Sequence, residues 1–125
     1  MAVRDGVKYA NSYLEKVDGK EIDAAWEALD TAAKETLAKG RDSYRASYAA
    51  GREPLGTVTK RVQIGTQDLS SPSGFPVGLY RIITFKTEFG ANGCRPEAVS
   101  VRATTEEEWK VFAHQVGMVP IPCSP

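Results

Sequence analysis

The side chain with the most adaptable chemistry in this sequence is its single histidine, His114. Imidazole exchanges protons near neutral pH, which makes His114 the first candidate for acid–base catalysis. A catalytic histidine needs a carboxylate or a nucleophile beside it, and the neighbouring sequence supplies neither. Strand alternation places His114 on one side with Lys110 and Phe112, opposite Trp109. The sequence therefore predicts a surface or rim position for His114, and it assigns no catalytic residue.

The two cysteines, Cys94 and Cys123, fit no zinc pattern, because two thiols and one histidine do not make four ligands. Cys94 opens the third predicted strand and Cys123 follows the fourth, and these two points are neighbours in an antiparallel meander. A disulfide there would close a loop of about 30 residues, stabilise the fold by about 3 to 4 kcal/mol and indicate an oxidising compartment. Two unpaired thiols in a cytoplasmic protein explain the sequence equally well. No metal and no cofactor is predicted.

Arg61 and Glu97 form the pair of charged residues of greatest interest, on strands that belong to one predicted sheet. If they face the concave side, burial obliges them to pair with each other or with a ligand. If they face outward, they are ordinary strand charges that contribute little. We expect the outward or rim position for both.

Aromatic residues are the remaining candidates for a binding site between helices and sheet, where folds of this kind commonly hold small apolar ligands. Core packing explains the same side chains with fewer assumptions, and Trp109 shares this ambiguity. The candidate ligand-binding residues are Trp26, Tyr44, Tyr48, Arg61, Tyr80 and Phe85.

Composition excludes several classes of partner. Sixteen basic residues balance sixteen acidic residues in a chain of 125, so no overall field attracts nucleic acid or anionic lipid. No stretch approaches the length of about 20 apolar residues that a membrane span requires. The first residues also lack the apolar segment of a secretory signal. We expect neither nucleic acid nor a membrane span.

Hydrophobic periodicity divides the chain into helices over about 5–51, strands over about 57–116 and an irregular tail over 117–125. The longest strand, 78–89, has two apolar faces in its first half and is therefore expected to be central. Helices followed by strands indicate an α+β domain, with the helices packed on a curved four-stranded antiparallel sheet in a single domain, 1–125. The expected helices are 5–17, 22–33 and 41–50. The expected strands begin at 57, 78 and 109, and the third follows the turn at 90–93 and returns over 98–103.

The stretch 52–56, Arg-Glu-Pro-Leu-Gly, lies where the helical pattern changes to the strand pattern. Pro54 cannot continue a helix, and Gly56 lets the backbone turn. A phosphate-binding loop needs several glycines before a helix, whereas here a helix precedes a strand. The stretch is therefore predicted to be a joint.

This joint also carries a family resemblance. The chain resembles, over about residues 7–113, the bacterial domain-of-unknown-function family numbered 4019, with the Arg-x-Pro-Leu-Gly element as the most specific feature. The resemblance implies a cystatin-like or nuclear-transport-factor-2-like α+β domain, usually exported to the periplasm or secreted, with no established activity. Its remaining features, in order, are Trp26, Arg61, Gly78-Leu79-Tyr80, Phe85-Lys86-Thr87-Glu88-Phe89, Glu97 and Trp109-Lys110-Val111.

Three functions are compatible with these features. The preferred one is a non-enzymatic domain that binds a small apolar molecule or a protein partner on the concave face of its sheet, with a homodimer as a plausible assembly. An enzyme of the ketosteroid-isomerase or dehydratase kind is the alternative, and its candidate residues are Asp23, Tyr48 and His114. The third is an interaction module whose surface strands pair with another chain.

Overall fold

The computed structural model describes residues 2–36, 39–103 and 108–123, in which helices precede strands. This order confirms the predicted α+β class. The four α-helices are α1 (Ala2–Asp18), α2 (Ile22–Glu27), α3 (Thr31–Thr36) and α4 (Arg41–Ser47). The four strands are β1 (Lys60–Ser70), β2 (Leu79–Glu88), β3 (Cys94–Ala103) and β4 (Trp109–Val116).

The strands form one antiparallel meander in the order β1-β2-β3-β4. β2 therefore pairs on both sides, as its two apolar faces predict. Helix α1 packs mainly against β3 and β4, because its apolar stripe meets the buried side of those strands. This core includes Tyr13, Leu14, Phe85, Val99 and Trp109. None of the described helices combines the length and the apolar character needed to cross a membrane.

The helix expected over 22–33 is divided in two. The backbone between α2 and α3 pairs with the outer edge of β4: Val111 N–H donates to the Ala28 carbonyl at 3.0 Å, and Asp30 N–H donates to the Val111 carbonyl at 2.7 Å. Asp30 is buried and also accepts a hydrogen bond from Arg102 at 3.0 Å. This pairing covers the edge of β4 and interrupts the helix that was expected over 22–33.

The stretch 52–56 connects the last helix to the first strand, as predicted. Helix α4 continues as a π-helical turn, Tyr48–Arg52, and then as a 3-10 turn, Glu53–Leu55. Gly56 has a φ of 83°, a conformation that favours glycine. Arg52 Nη1 donates to the Gly56 carbonyl at 2.8 Å and holds this corner closed.

A bulge in β4 corrects the expected position of His114. Ser100 is opposite Ala113 and Val101 is opposite Val111, so Phe112 has no partner in the register. One extra residue exchanges the two faces of a strand. His114 therefore lies opposite the fully buried Val99, on the helix-facing side with Trp109 and Val111, and not on the outer side. Its side chain is 13% exposed.

Strand β1 directs toward the helices the face that was expected to point away from them. Its apolar residues Val62 and Ile64 are 41% and 57% exposed. Arg61 instead lies opposite the buried Thr87, on the side of the sheet that faces the helices.

The two cysteines form a disulfide, Cys94–Cys123, with the Cα atoms 5.2 Å apart. The tail runs beside the beginning of β3, since Gly117 N–H donates to the Pro96 carbonyl at 2.7 Å and Ile121 N–H donates to the Cys94 carbonyl at 2.8 Å. The disulfide therefore closes the meander where the topology places its two ends together.

Candidate functional site

Glu97 is the centre of a buried polar network on the helix-facing side of the sheet. Glu97 as a whole is only 1% exposed. The carboxylate accepts hydrogen bonds from Arg61 Nε at 2.9 Å and Thr87 Oγ1 at 2.7 Å, and His114 Nε2 lies 2.7 Å away. Burial alone would raise the pKa of Glu97, but His114, Arg61 and Thr87 outweigh it and lower the pKa to about 2. Glu97 is therefore ionised at neutral pH.

Asp18 extends this network to the end of α1. Arg61 Nη1 donates to Asp18 Oδ2 at 2.6 Å, and Arg52 Nη2 donates to Asp18 Oδ1 at 3.0 Å. Burial lowers the pKa of Arg61, but the hydrogen bonds and charges of Asp18 and Glu97 raise it overall. The last residue of α1 is thus tied both to β1 and to the joint before it.

The expectation that Arg61 and Glu97 face outward is therefore wrong. Both lie on the helix-facing side, because the carboxylates of Asp18 and Glu97 together offset the desolvation of one guanidinium. Asp18 is distant in the sequence from both strands, so the strand pattern alone could not predict its contact with Arg61.

A cavity of about 630 Å³ lies between the helices and β4. Its lining contains six tyrosine, arginine and histidine residues, which come from α1, α4, the π-helical turn, β3 and β4. These are Tyr13, Tyr44, Tyr48, Arg52, Arg95 and His114. Much of the remaining wall is apolar and includes Val17, Leu29, Ala33, Leu55, Val116 and Met118.

Two tyrosines form a hydrogen-bonded pair in the cavity wall. The hydroxyl oxygens of Tyr13 and Tyr44 are 2.6 Å apart. Burial, followed by the charge and hydrogen bond of Tyr44, raises the pKa of Tyr13; burial likewise raises the pKa of Tyr44. Both hydroxyls are therefore neutral donors at physiological pH. The Tyr13 ring also packs edge-on against the His114 ring, with centroids 5.4 Å apart.

The charges in the wall have one sign. Arg52 and Arg95 line the cavity, whereas no Asp or Glu does within the described ranges. The carboxylates of Asp18 and Glu97 lie behind the wall. The Nε atoms of Arg52 and Arg95 are buried, and neither has a hydrogen-bond acceptor in the part of the chain that the structure describes.

The candidate ligand-binding residues divide into two groups. Tyr44 and Tyr48 line the cavity. The other four lie outside its described lining: Trp26 and Phe85 are in the main core, Tyr80 packs on Phe112 in a second apolar cluster, and Arg61 belongs to the network behind the wall.

Four of the six tyrosine, arginine and histidine residues of the lining were missed or placed elsewhere in the sequence analysis: Tyr13, Arg52, Arg95 and His114. Tyr13 is three residues after Ala10, and both belong to the buried side of α1, so the helical spacing of these residues is a signal that the sequence offers. For Asp23, a candidate of the enzyme hypothesis, the structure gives an exposed ion pair with Arg45, away from this cavity.

Fold and cavity together define a small α+β protein in which helices cover one side of a four-stranded meander and leave a space beside β4. The chain belongs to the family described as "Protein of unknown function (DUF4019)", whose sequence model matches residues 9–114. The resemblance carried by the Arg-x-Pro-Leu-Gly element is thereby confirmed. Comparisons with the curated proteins and with the solved structures give no match.

Proposed function

We propose that this protein binds a small molecule in the cavity between its helices and β4 and does not transform it. The observation that carries the proposal is the cavity itself. Its volume of about 630 Å³ falls within the range of about 300 to 1,000 Å³ that is typical of small-molecule sites. Apolar walls with a few converging polar groups are also typical of such sites.

The polar groups are held in fixed positions, which supports the same function. His114 is anchored by Glu97, and Glu97 is anchored in turn by Arg61 and Thr87. Tyr13 and Tyr44 restrain each other. A site whose side chains are already ordered loses less conformational entropy when a ligand binds.

The proposal includes an oxidising compartment outside the cytoplasm, because a disulfide persists there and is rare in reducing cytosol. The Cys94–Cys123 bond supports this location. The cystatin-like or nuclear-transport-factor-2-like shape implied by the family resemblance is the finer form of the fold that we propose.

One arrangement favours proton transfer as the second candidate function. A carboxylate-bound imidazole stands beside neutral tyrosine hydroxyls in a largely apolar cavity. A base and a hydrogen-bond donor are the groups that an enzyme of the ketosteroid-isomerase kind uses. Binding is preferred, because it requires only the cavity.

Thermal-shift screening of a fragment library tests the proposed function. Ser47 lines the cavity, whereas Ser43 is one helical turn earlier on α4 and is exposed outside the lining. Fragments that stabilise the wild type should no longer stabilise Ser47→Trp, since the indole group takes up space in the cavity, but should still stabilise Ser43→Trp. Equal responses from the two variants would place the fragments elsewhere and overturn the proposal.

A further inference from the structure

We infer that the ligand of this cavity is an organic anion, with a carboxylate or similar acidic group on an apolar body. This inference rests on the proposed binding function and names the chemical class of its ligand. Three features support it: the charges of the wall, its unused hydrogen-bond donors and its apolar residues.

The charges favour an anion. Arg52 and Arg95 line the cavity, and the described lining contains no carboxylate. Behind the wall, Asp18 is shared by Arg52 and Arg61, while Glu97 is bound to Arg61 and His114. The two carboxylates are thus paired with Arg52, Arg61 and His114, and Arg95 forms no ion pair with a described residue. The excess positive charge lies in a partly desolvated space, where charges interact more strongly than in water.

The register places these groups together. Arg61, Thr87 and Arg95 stand side by side on three neighbouring strands, β1, β2 and β3. Glu97 and His114 occupy the same helix-facing side of β3 and β4. Arg61 and Arg95 therefore lie on one contiguous area of the sheet, and Asp18 connects Arg61 to Arg52 of the joint.

The unused donors favour a ligand that accepts hydrogen bonds. Arg52 is 8% exposed, and its buried Nε–H finds no acceptor among the described residues; the Nε–H of Arg95 is in the same state. The Tyr13–Tyr44 pair has two hydroxyl protons but uses only one in the bond that joins them, and no other described group accepts the second. Buried donors without acceptors are costly. A carboxylate in the cavity offers an oxygen to the spare hydroxyl proton of the Tyr13–Tyr44 pair, whereas the two arginine Nε atoms are too enclosed for a ligand to contact directly.

The rest of the wall specifies the body of the ligand. Four apolar lining residues come from α1, the segment between α2 and α3, α3 and β4: Val17, Leu29, Ala33 and Val116. An aliphatic or aromatic body removes this surface from water, and each buried methylene contributes about 0.8 kcal/mol. A molecule with one charged end and one apolar end matches both parts of the cavity.

Three probes of equal chain length separate the head group from the body. Decanoate, 1-decanol and decylamine, each below its aggregation concentration, are titrated into the wild-type protein by calorimetry. Decanoate should bind about tenfold more tightly than 1-decanol, as expected for a charge-assisted hydrogen bond. Decylamine should bind most weakly of the three, because its ammonium group meets arginines of the same sign.

Matched variants locate the head group. Arg95→Met keeps an unbranched apolar stem and removes the charge, and should reduce the affinity for decanoate to that for 1-decanol. Lys86→Met removes one charge from the adjacent strand β2, on the face away from the helices, and should change neither affinity. Circular dichroism checks folding, since Arg95 also donates to the Gly117 and Met118 carbonyls. If Arg95→Met does not fold, Arg95→Lys and the wild-type probe series decide the question.

The outcomes separate this inference from the function on which it rests. Equal affinities for decanoate and 1-decanol, both abolished by Ser47→Trp, would overturn the anionic class and leave cavity binding intact. Binding of decanoate that survives Ser47→Trp would mean association with the surface and would overturn the inference. If no probe binds although library fragments do, the inference fails alone; if fragments also fail, both proposals fail.

Discussion

The Nε2 atom of His114 lies 2.7 Å from the Glu97 carboxylate, between a buried anion and the cavity. Glu97 is ionised, with a pKa of about 2, and an ionised carboxylate only accepts hydrogen bonds. The imidazole proton therefore resides on Nε2, and Nδ1 is the ring nitrogen left for other partners. Glu97 thus sets the orientation of one cavity-lining ring and the tautomer of its neutral form.

Replacement of Glu97 should strongly destabilise the fold. Glu97→Gln removes the charge that compensates the buried Arg61, and breaking a buried ion pair typically costs about 3 to 5 kcal/mol. The measurement is urea unfolding at neutral pH. Asp68→Asn is the matched control, because Asp68 pairs with Arg81 on the same sheet but its side chain is 45% exposed. That variant should lose at most about 1 kcal/mol. Equal losses in the two variants would contradict the role given to the buried network.

The stability should also depend on pH through Glu97. Its pKa falls from the usual value of 4.5 to about 2 in the folded protein. The unfolded chain therefore takes up a proton at a higher pH than the folded chain does. The contribution of Glu97 is fully present above about pH 4.5 and is lost as the pH falls toward about 2, with a total of about 3 kcal/mol. Urea unfolding at pH 6, 4.5 and 3 should show this loss in the wild type. Glu97→Gln should show a flatter profile, and parallel profiles would exclude Glu97 as the source.

Reduction of the Cys94–Cys123 bond should weaken the protein without abolishing its fold. The two cysteines are 29 residues apart, and a disulfide that closes a loop of this size contributes about 3 to 4 kcal/mol. Urea unfolding with and without a reductant measures the difference. The double variant Cys94→Ser, Cys123→Ser serves as the control and should not respond to the reductant. Labelling of the folded, unreduced protein by a thiol reagent would show that the bond is not formed.

Local periodicity was sufficient for the strands and their order. The alternation over 78–89 predicted a central strand, and β2 pairs with both neighbours. The residues of β4 were predicted without error at either end. The position of Cys94 at the start of β3 made the disulfide one of two open alternatives, because meander topology depends only on strand order.

Long-range contacts account for what the sequence could not predict. Phe112 is an extra residue in β4, and no local signal distinguished it from its neighbours, so the side on which His114 lies was inverted. Arg61 turned inward because of Asp18, which belongs to α1. The break between α2 and α3 depends on pairing with the edge of β4. The cavity arises from the relative placement of helices and sheet, which residue periodicity does not encode.

The most direct test of the central claim uses the fact that the chain contains one histidine. Proton–nitrogen NMR of the His114 ring reports on the cavity wall without interference from other imidazoles. Titration with decanoate should shift the His114 ring signals in a saturable manner, and Ser47→Trp should abolish the shift. Unchanged His114 signals, together with shifts at the exposed Val62 and Ile64 of β1, would contradict binding in the cavity.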